Sequence, residues 1–312
     1  MNVLSLFDGI SCGQIALNRA KIKYKNYFAS EIDKNAINVT QHNYPDTIQL
    51  GDVTKINFKS LPKIHLLIGG SPCQGFSISG KQLAFNDPRS KLFFEFIKAI
   101  KELQPKYFFL ENVKMKKEYE NIITEFLGVN PIEINSALVS AQNRKRLYWT
   151  NIPNITQPQD KHIFLRDILE KDVTDNLFAI PDKYWKGTNI ENYIAQSEKP
   201  VALTERRTEE AKRIRKEYQK KYGRDFCPRR GKELVVRKDG KMNCLTSTYS
   251  IKEHTVIDEK GFYRKLTPIE CERLQTVPDN YTKILSNSQR YKALGNGWTV
   301  DVIAHIFKGI ET

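Results

Sequence analysis

At 312 residues, with 40% hydrophobic and 28% charged side chains, the chain can build one large core or two unequal ones, and no apolar run is long enough to span a bilayer. Five scattered cysteines (Cys12, Cys73, Cys227, Cys244, Cys271) without a CxxC pair argue against a disulfide scaffold and a zinc site, and for a reducing compartment. A formal charge of +14 points to a polyanionic partner, while the aromatic content gives no membrane signature.

The first ten residues, MNVLSLFDGI, lack a basic region followed by an apolar stretch and a small-residue cleavage site, so no secretory signal is expected. Residues 3–7, 27–30, 65–68 and 107–110 are short and almost continuously apolar, as strands buried on both faces of a parallel sheet are. Helical patterns fall between them at 13–20, 34–42 and 92–103. In the last, Leu92, Phe93, Phe96, Ile97, Ile100 and Leu103 share one face. Strand and helix alternating in this way predict an α/β fold with a doubly wound, mostly parallel sheet.

The first strand runs into Phe7-Asp8-Gly9-Ile10-Ser11-Cys12-Gly13 and then a helix, a turn that lets backbone amides approach a ligand at the helix N-terminus. Glu31 closes the second strand at the distance where a dinucleotide site places an acid on ribose, with Ile32 next to it. Asp52 and Val53 follow the third strand. Taken alone, this turn fits a plain tight turn or a nicotinamide site equally well.

The fourth strand delivers Gly69-Gly70-Ser71-Pro72-Cys73-Gln74, a sharp turn at a strand end, where a cysteine is partly exposed and near backbone donors. The fifth ends at Glu111-Asn112-Val113, which regular winding puts beside the cysteine's strand. Gln142-Asn143-Arg144-Lys145-Arg146 then leads into the apolar strand Leu147-Tyr148-Trp149, with Arg144 and Arg146 on one face of an extended chain. Singly, these read as a core cysteine, a surface glutamate and solvated arginines. Beyond residue 156 the character changes. Charges crowd residues 204–232, where Ala211, Ile214 and Tyr218 keep a thin apolar stripe, and residues 300–310 form a last apolar helix able to pack back on the sheet.

In this order the segments resemble the motifs of the DNA cytosine-C5 methyltransferase family over nearly the whole chain. Residues 7–13 resemble the cofactor turn, 70–74 the Pro-Cys nucleophile segment, 111–113 the Glu-Asn-Val segment and 142–146 the Gln-x-Arg-x-Arg segment. Residues 264–275 (RKLTPIECERLQ) resemble the motif that shapes the recognition domain, and 295–300 (GNGWTV) the last cofactor motif. Phe7-Asp8-Gly9-Ile10 and residues 294–300 lean towards phage enzymes and the catalytic domains of animal de novo methyltransferases, whereas residues 76–82 (FSISGKQ) look bacterial. Ser11 and Cys12 stand where many bacterial members have glycine, and Gly297 where many have serine.

The resemblance implies a Rossmann-like catalytic domain over 1–175 and 288–312 and an inserted target-recognition domain over 176–287. It implies Cys73 as the nucleophile adding to C6 of cytosine, Glu111 acting at N3, and Arg146 positioning both with Arg144 beside it. S-adenosyl-L-methionine, leaving as S-adenosyl-L-homocysteine, would be held by Phe7, Asp8, Gly9, Ile10, Glu31, Ile32, Asp52, Val53, Gly70, Pro72, Asn296 and Trp298. No metal is implied. The target base must leave the duplex. Residues 76–90 would close over the DNA through Ser77, Ser79, Gln82 and Arg89, with Gly80 as hinge. Thr246, Ser247, Thr248, Tyr249 and Lys252 would read bases, and the basic stretch at 206–232 would grip phosphate.

Double-stranded DNA is therefore the expected partner, with a cognate restriction endonuclease allowed but not required, and a monomer in the cytoplasm of a bacterium or a phage-infected cell is expected. Methylation of a transfer-RNA cytosine is the runner-up, but the Cys-Phe-Thr tripeptide usual in that branch is missing. A silent regulatory relative would lack Pro-Cys or Glu-Asn-Val, and a nicotinamide oxidoreductase would leave Cys73, Glu111 and the arginines idle. From the charge follows one expectation: DNA affinity measured by fluorescence anisotropy falls steeply with added salt, and a flat salt dependence would contradict a phosphate-gripping surface.

Overall fold

In the computed structural model, residues 1–71, 88–175, 177–180, 198–223, 231–248, 254–261 and 263–311 are described. A seven-stranded sheet contains β1 (Asn2–Leu6), β2 (Asn26–Ser30), β3 (Ile48–Gln49), β4 (Leu66–Gly69), β5 (Tyr107–Val113), β6 (Ile132–Asn135) and β7 (Lys145–Thr150). Its order is β3-β2-β1-β4-β5-β7-β6. The first five strands in that order run parallel, and β7 lies antiparallel to both β5 and β6. This is the Rossmann-like architecture expected from the alternation of strands and helices.

The apolar strands are explained by two cores, one on each face. Along β4, Leu66 and Ile68 join one core and Leu67 the other; along β5, Phe109 joins the first and Phe108 and Leu110 the second. A period-two alternation with both faces covered makes nearly every position apolar. Helices α1 (Cys12–Arg19) and α2 (Lys34–Asn43) cover the first face, and α3 (Pro88–Leu103) and α4 (Lys117–Leu127) the second. The apolar pattern at 92–103 misses the true start of α3, which lies at Pro88, a residue whose fixed φ suits a first helical turn. Arg89 and Ser90, expected in the loop over DNA, therefore belong to that turn.

A second, antiparallel sheet has the order β11-β10-β8-β9, from β8 (Val201–Arg207), β9 (Lys232–Val236), β10 (Thr255–Ile257) and β11 (Tyr263–Lys265). It carries a small core of Ile180, Val201, Leu203 and Ile257. Between β8 and β9 stands α6 (Glu209–Tyr222), after the one-turn α5 (Leu165–Ile168). The stripe read on α6 is thinner than its spacing suggests: Ala211 is buried, but Ile214 is 39% exposed. Glu209, Glu210 and Glu217 pair with Lys212 and Arg213 along its surface.

Helices α7 (Pro268–Leu274), α8 (Asn287–Asn296) and α9 (Val300–Phe307) return to the large sheet. Cys271, Leu274, Val277 and Tyr281 lie in its first core, together with Ala202, Met242, Leu245 and Val256. A fully buried ion pair joins the two units. Arg264 on β11 donates to both carboxylate oxygens of Glu270 on α7 at 2.7 and 2.8 Å, and the same oxygens accept from the Glu170 and Thr267 amides. Four donors fill the acceptor capacity of the carboxylate, which a buried charge needs in order to be tolerated.

Gly295, near the end of α8, lies against the backbone of residues 246–247. A Cβ there would fall 2.2 Å from the Thr246 carbonyl and 2.5 Å from the Ser247 nitrogen. Because backbone cannot swing aside, Gly295→Ala is expected to cost about 1–3 kcal/mol. Thermal denaturation should show a drop of several degrees; an unchanged Tm would mean that the two segments do not pack as described.

Candidate active site

The carboxyl ends of the five parallel strands lie along one edge of the sheet, where open α/β sheets hold ligands in a crevice. After β1, Phe7, Gly9 and Ser11 all take φ near +60°, so the chain folds back sharply before α1. Glu31, just past β2, fastens this turn: its carboxylate accepts the Gly9 amide at 2.8 Å and its own neighbours' amides, Ile32 and Asp33, at 2.8 and 2.9 Å. Ile32 beside it is 74% exposed, an apolar side chain held in the open at the rim of the crevice. Asp52, past β3, accepts from the Thr54 amide and hydroxyl through one oxygen, and these bonds hold its pKa below the usual carboxylate range. Val53 and Ile10 are buried in the cores.

These groups suit a nucleoside cofactor. Ile32 offers a free apolar face for a ring, Glu31 and Asp52 offer carboxylate acceptors, and a Cβ added at Gly9 would meet nothing, so the backbone is open there. Asp8 behaves differently from its neighbours. Its carboxyl turns into the protein and accepts the Tyr27 hydroxyl at 2.7 Å. Burial pushes its pKa up to about 6, against the hydrogen bonds that favour ionisation.

At the centre, Glu111 in β5 and Arg146 in β7 form a buried ion pair, Arg146 Nε to Glu111 Oε1 at 2.9 Å. Strand register brings them together, since Glu111 pairs with Tyr148 and Val113 with Arg146 across the β5–β7 ladder. The other Glu111 oxygen lies beside Gly70. A Cβ on Gly70 would come 3.3 Å from Glu111 Oε2 and 2.9 Å from Trp298 Nε1, so the turn leading to Pro72 and Cys73 requires glycine. Trp298 is wedged edge-on against Phe109 with ring centroids 5.4 Å apart, while Asn296 is exposed at the end of α8. Pro72, Cys73, Ser77, Ser79, Gln82, Tyr249 and Lys252 lie outside the described residues.

Arg144 is spent differently from Arg146. It is 3% exposed, and it donates to the Leu245 carbonyl at 2.8 Å, the Gly297 carbonyl at 2.8 Å and the Gly295 carbonyl at 3.4 Å. Two buried residues without an assigned role in the sequence complete this junction. Gln142 donates to the Leu274 carbonyl and to Gln275, and accepts the Leu245 amide; Gln275 donates to the Leu294 carbonyl. Both glutamines stand inside the motif segments, and that was the only sign of them. Thr246 and Thr248 are exposed just beyond Leu245, and Ser247 is half-buried. Among the described residues no group of three or more His, Cys, Asp or Glu could hold a metal ion, and no helix is long and apolar enough to cross a membrane.

Fold and crevice together define a Rossmann-like methyltransferase. The chain belongs to the C-5 cytosine-specific DNA methylase family, whose profile matches residues 1–312, and it is a DNA cytosine-5 methyltransferase. The type II methyltransferase M1.ScrFI of Lactococcus lactis subsp. cremoris is 34% identical to it, across 96% of this chain and 75% of its own. The type II methyltransferase M.HhaI of Haemophilus parahaemolyticus is 29% identical, across 98% and 93%. The orphan methyltransferase M.SPRI of Bacillus phage SPR is 28% identical, across 99% and 97%. Among solved structures, the Entamoeba histolytica methyltransferase EhMeth shares the fold with a TM-score of 0.73 at 20% identity, across 99% of this chain and 97% of its own.

The buried Asp8 carboxyl yields a pH prediction. With its folded pKa raised, it contributes stability that is full below the ordinary value of 3.8 and is lost as pH rises through about 6. Asp8→Asn stays neutral throughout, so it should melt above the parent at pH 8, by about 1–3 kcal/mol, with the difference vanishing towards pH 4. A constant Tm difference across that range would show that folding does not raise the Asp8 pKa.

Proposed function

We propose that the chain transfers a methyl group to C5 of a cytosine flipped out of double-stranded DNA, through a covalent bond between Cys73 and C6 of the base. The observation that carries this reading is the largely buried Glu111–Arg146 pair at the end of β5, with the second Glu111 oxygen beside Gly70, two residues before Pro72 in the chain.

Cytosine C5 is a weak nucleophile, and the residues of this site answer that problem. Addition of the Cys73 thiolate to C6 breaks the aromatic system and places the electron pair on C5, while the ring nitrogen N3 gains charge. Glu111 meets that charge with a hydrogen bond or a proton at N3. Arg146, bound through Nε, holds the carboxyl in place and keeps it from turning away. S-adenosyl-L-methionine, when bound, supplies an electrophilic sulfonium methyl group and leaves as S-adenosyl-L-homocysteine. Glu31 would take the ribose hydroxyls, Phe7 and Ile32 the two faces of the adenine, and Asp52 its amine, with Asn296 and Trp298 closing the pocket. Loss of the C5 proton then expels Cys73 and restores the aromatic ring.

The base is out of reach inside a duplex, so it must be extruded. Ser77, Ser79, Gln82 and Arg89 would contact the opened DNA. Thr246, Ser247, Thr248, Tyr249 and Lys252 would read the target, and the cations of α6 would meet phosphates. Residues 176–287 would then supply recognition and the rest of the chain catalysis. The type II name of one relative and the orphan name of another fit an enzyme acting with or without a restriction endonuclease, which would work as a monomer.

Cys73→Ala is expected to abolish methyl transfer to duplex DNA while leaving cofactor and DNA binding within a small factor of the parent. With 5-fluorocytosine at the target carbon, the parent should form a denaturation-resistant protein–DNA adduct in the presence of cofactor. Methylation by the alanine variant would sink the assignment of Cys73, and a parent that is never trapped would sink attack at C6.

A further inference from the structure

The mechanism leaves one group beside the catalytic pair unused. Cys244 precedes the recognition segment by a single residue, and its sulfur lies between the two arginines, 3.3 Å from Arg144 Nη1 and 3.7 Å from Arg146 Nη2. The Arg146 guanidinium is thereby held on all three nitrogens: Nε on Glu111 at 2.9 Å, Nη1 on the Lys145 carbonyl at 2.9 Å, and Nη2 on the Cys244 sulfur. A pair made through Nε alone leaves the guanidinium free to swing, so the outer contacts decide where it points. Lys145 belongs to Arg146's own strand, whereas Cys244 comes from a segment almost a hundred residues away.

The position of that sulfur is itself fixed. The Leu245 carbonyl accepts from Arg144 and its amide donates to Gln142, while Gly295 packs directly on the backbone of residues 246–247. The Cys244 carbonyl lies 3.2 Å from the ring nitrogen of the buried His254. Burial opposes ionisation of the thiol, but the Arg144 and Arg146 charges outweigh it and bring its pKa below the ordinary value. The sulfur is thus placed to accept from both guanidiniums.

We propose that Cys244 is a positioning residue, whose sulfur at the root of the recognition segment holds Arg146 on Glu111, so that engagement of that segment with its target sequence is felt at the catalytic carboxylate. This rests on the reading that Glu111 acts on the cytosine ring. It gives the recognition unit a direct hold on the chemistry, through three side chains in contact.

The test compares Cys244→Ser, Cys244→Ala and Cys244→Val in methyl transfer to duplex DNA containing the target mapped by bisulfite sequencing, with DNA and cofactor affinities measured alongside. Serine keeps a hydrogen-bonding atom and should hold kcat close to the parent's. Alanine and valine lack that atom and should lose about tenfold or more in kcat, as one hydrogen bond to a charged group would give, with both affinities nearly unchanged. Equal kcat values in the serine and alanine variants would overturn the proposal. So would loss of cofactor binding in both, which would mark Cys244 as a packing residue. Glu111→Gln, run in parallel, separates the two readings. If it turns over at the parent's rate, the role of Glu111 at N3 fails, whatever the Cys244 variants do.

Discussion

Most of this site hangs on one buried cation. Arg144 is sealed in the interior and among the described residues meets no carboxylate; the carbonyl oxygens of Leu245, Gly295 and Gly297 and the Cys244 sulfur surround it instead. Removing a guanidinium from water is costly unless its donors are met, so these carbonyls must be brought to it and kept there. They come from two segments about fifty residues apart, the root of the recognition segment and the end of α8. The resulting junction sets the distance between residues 245–247 and the last motif, and it leaves no room for a side chain on Gly295. Gln142 and Gln275 extend the same arrangement to the end of α7 through buried amide hydrogen bonds.

Around that junction, the parallel sheet places the chemistry. Five strands in parallel register send their carboxyl ends to one edge, and each end contributes a different group: a folded-back turn after β1, Glu31 after β2, Asp52 after β3, Gly70 after β4 and Glu111 within β5. The antiparallel β7 then delivers Arg146 from the opposite direction, opposite Val113 in the ladder, so its side chain reaches Glu111 two residues back along β5. A cation approaching from outside the parallel set can meet the carboxylate without occupying the crevice. The family to which the chain belongs accounts for the order of these segments, and the strand register accounts for their meeting.

Much of this was legible beforehand. Strands β1, β2, β4 and β5 announced themselves as apolar runs because both faces of the sheet are covered, and α2 and α9 fell within a few residues of their expected limits. The chemical groups were legible because each ends a strand, where turn residues and charges interrupt the apolar pattern. What stayed hidden depends on contacts between residues far apart in sequence. Nothing local to Arg144 says that its partners are carbonyls near 245 and 297, or that Asp8 turns inward to Tyr27 while Glu31 stays at the rim. Cys244 had no local mark at all. The start of α3 at Pro88 was missed for another reason: its first turn carries polar residues that show no apolar periodicity.

Two arginines two residues apart thus do opposite work, and burial of their partners decides which does what. Arg144 spends most of its donors on backbone carbonyls, so a substitution there would disturb three segments at once and read as a folding defect. Arg146 keeps its Nε for a carboxylate that faces the crevice, so its replacement would leave the junction standing and remove only the constraint on Glu111. The Cys244 sulfur touches both guanidiniums, at the point where the static frame and the reactive pair come closest. A displacement of the recognition segment small enough to leave the Arg144 carbonyl contacts intact can still change the angle at which Arg146 meets Glu111. If residues 246–252 read the target as proposed, sequence recognition can govern the rate of methyl transfer without any large rearrangement of the fold.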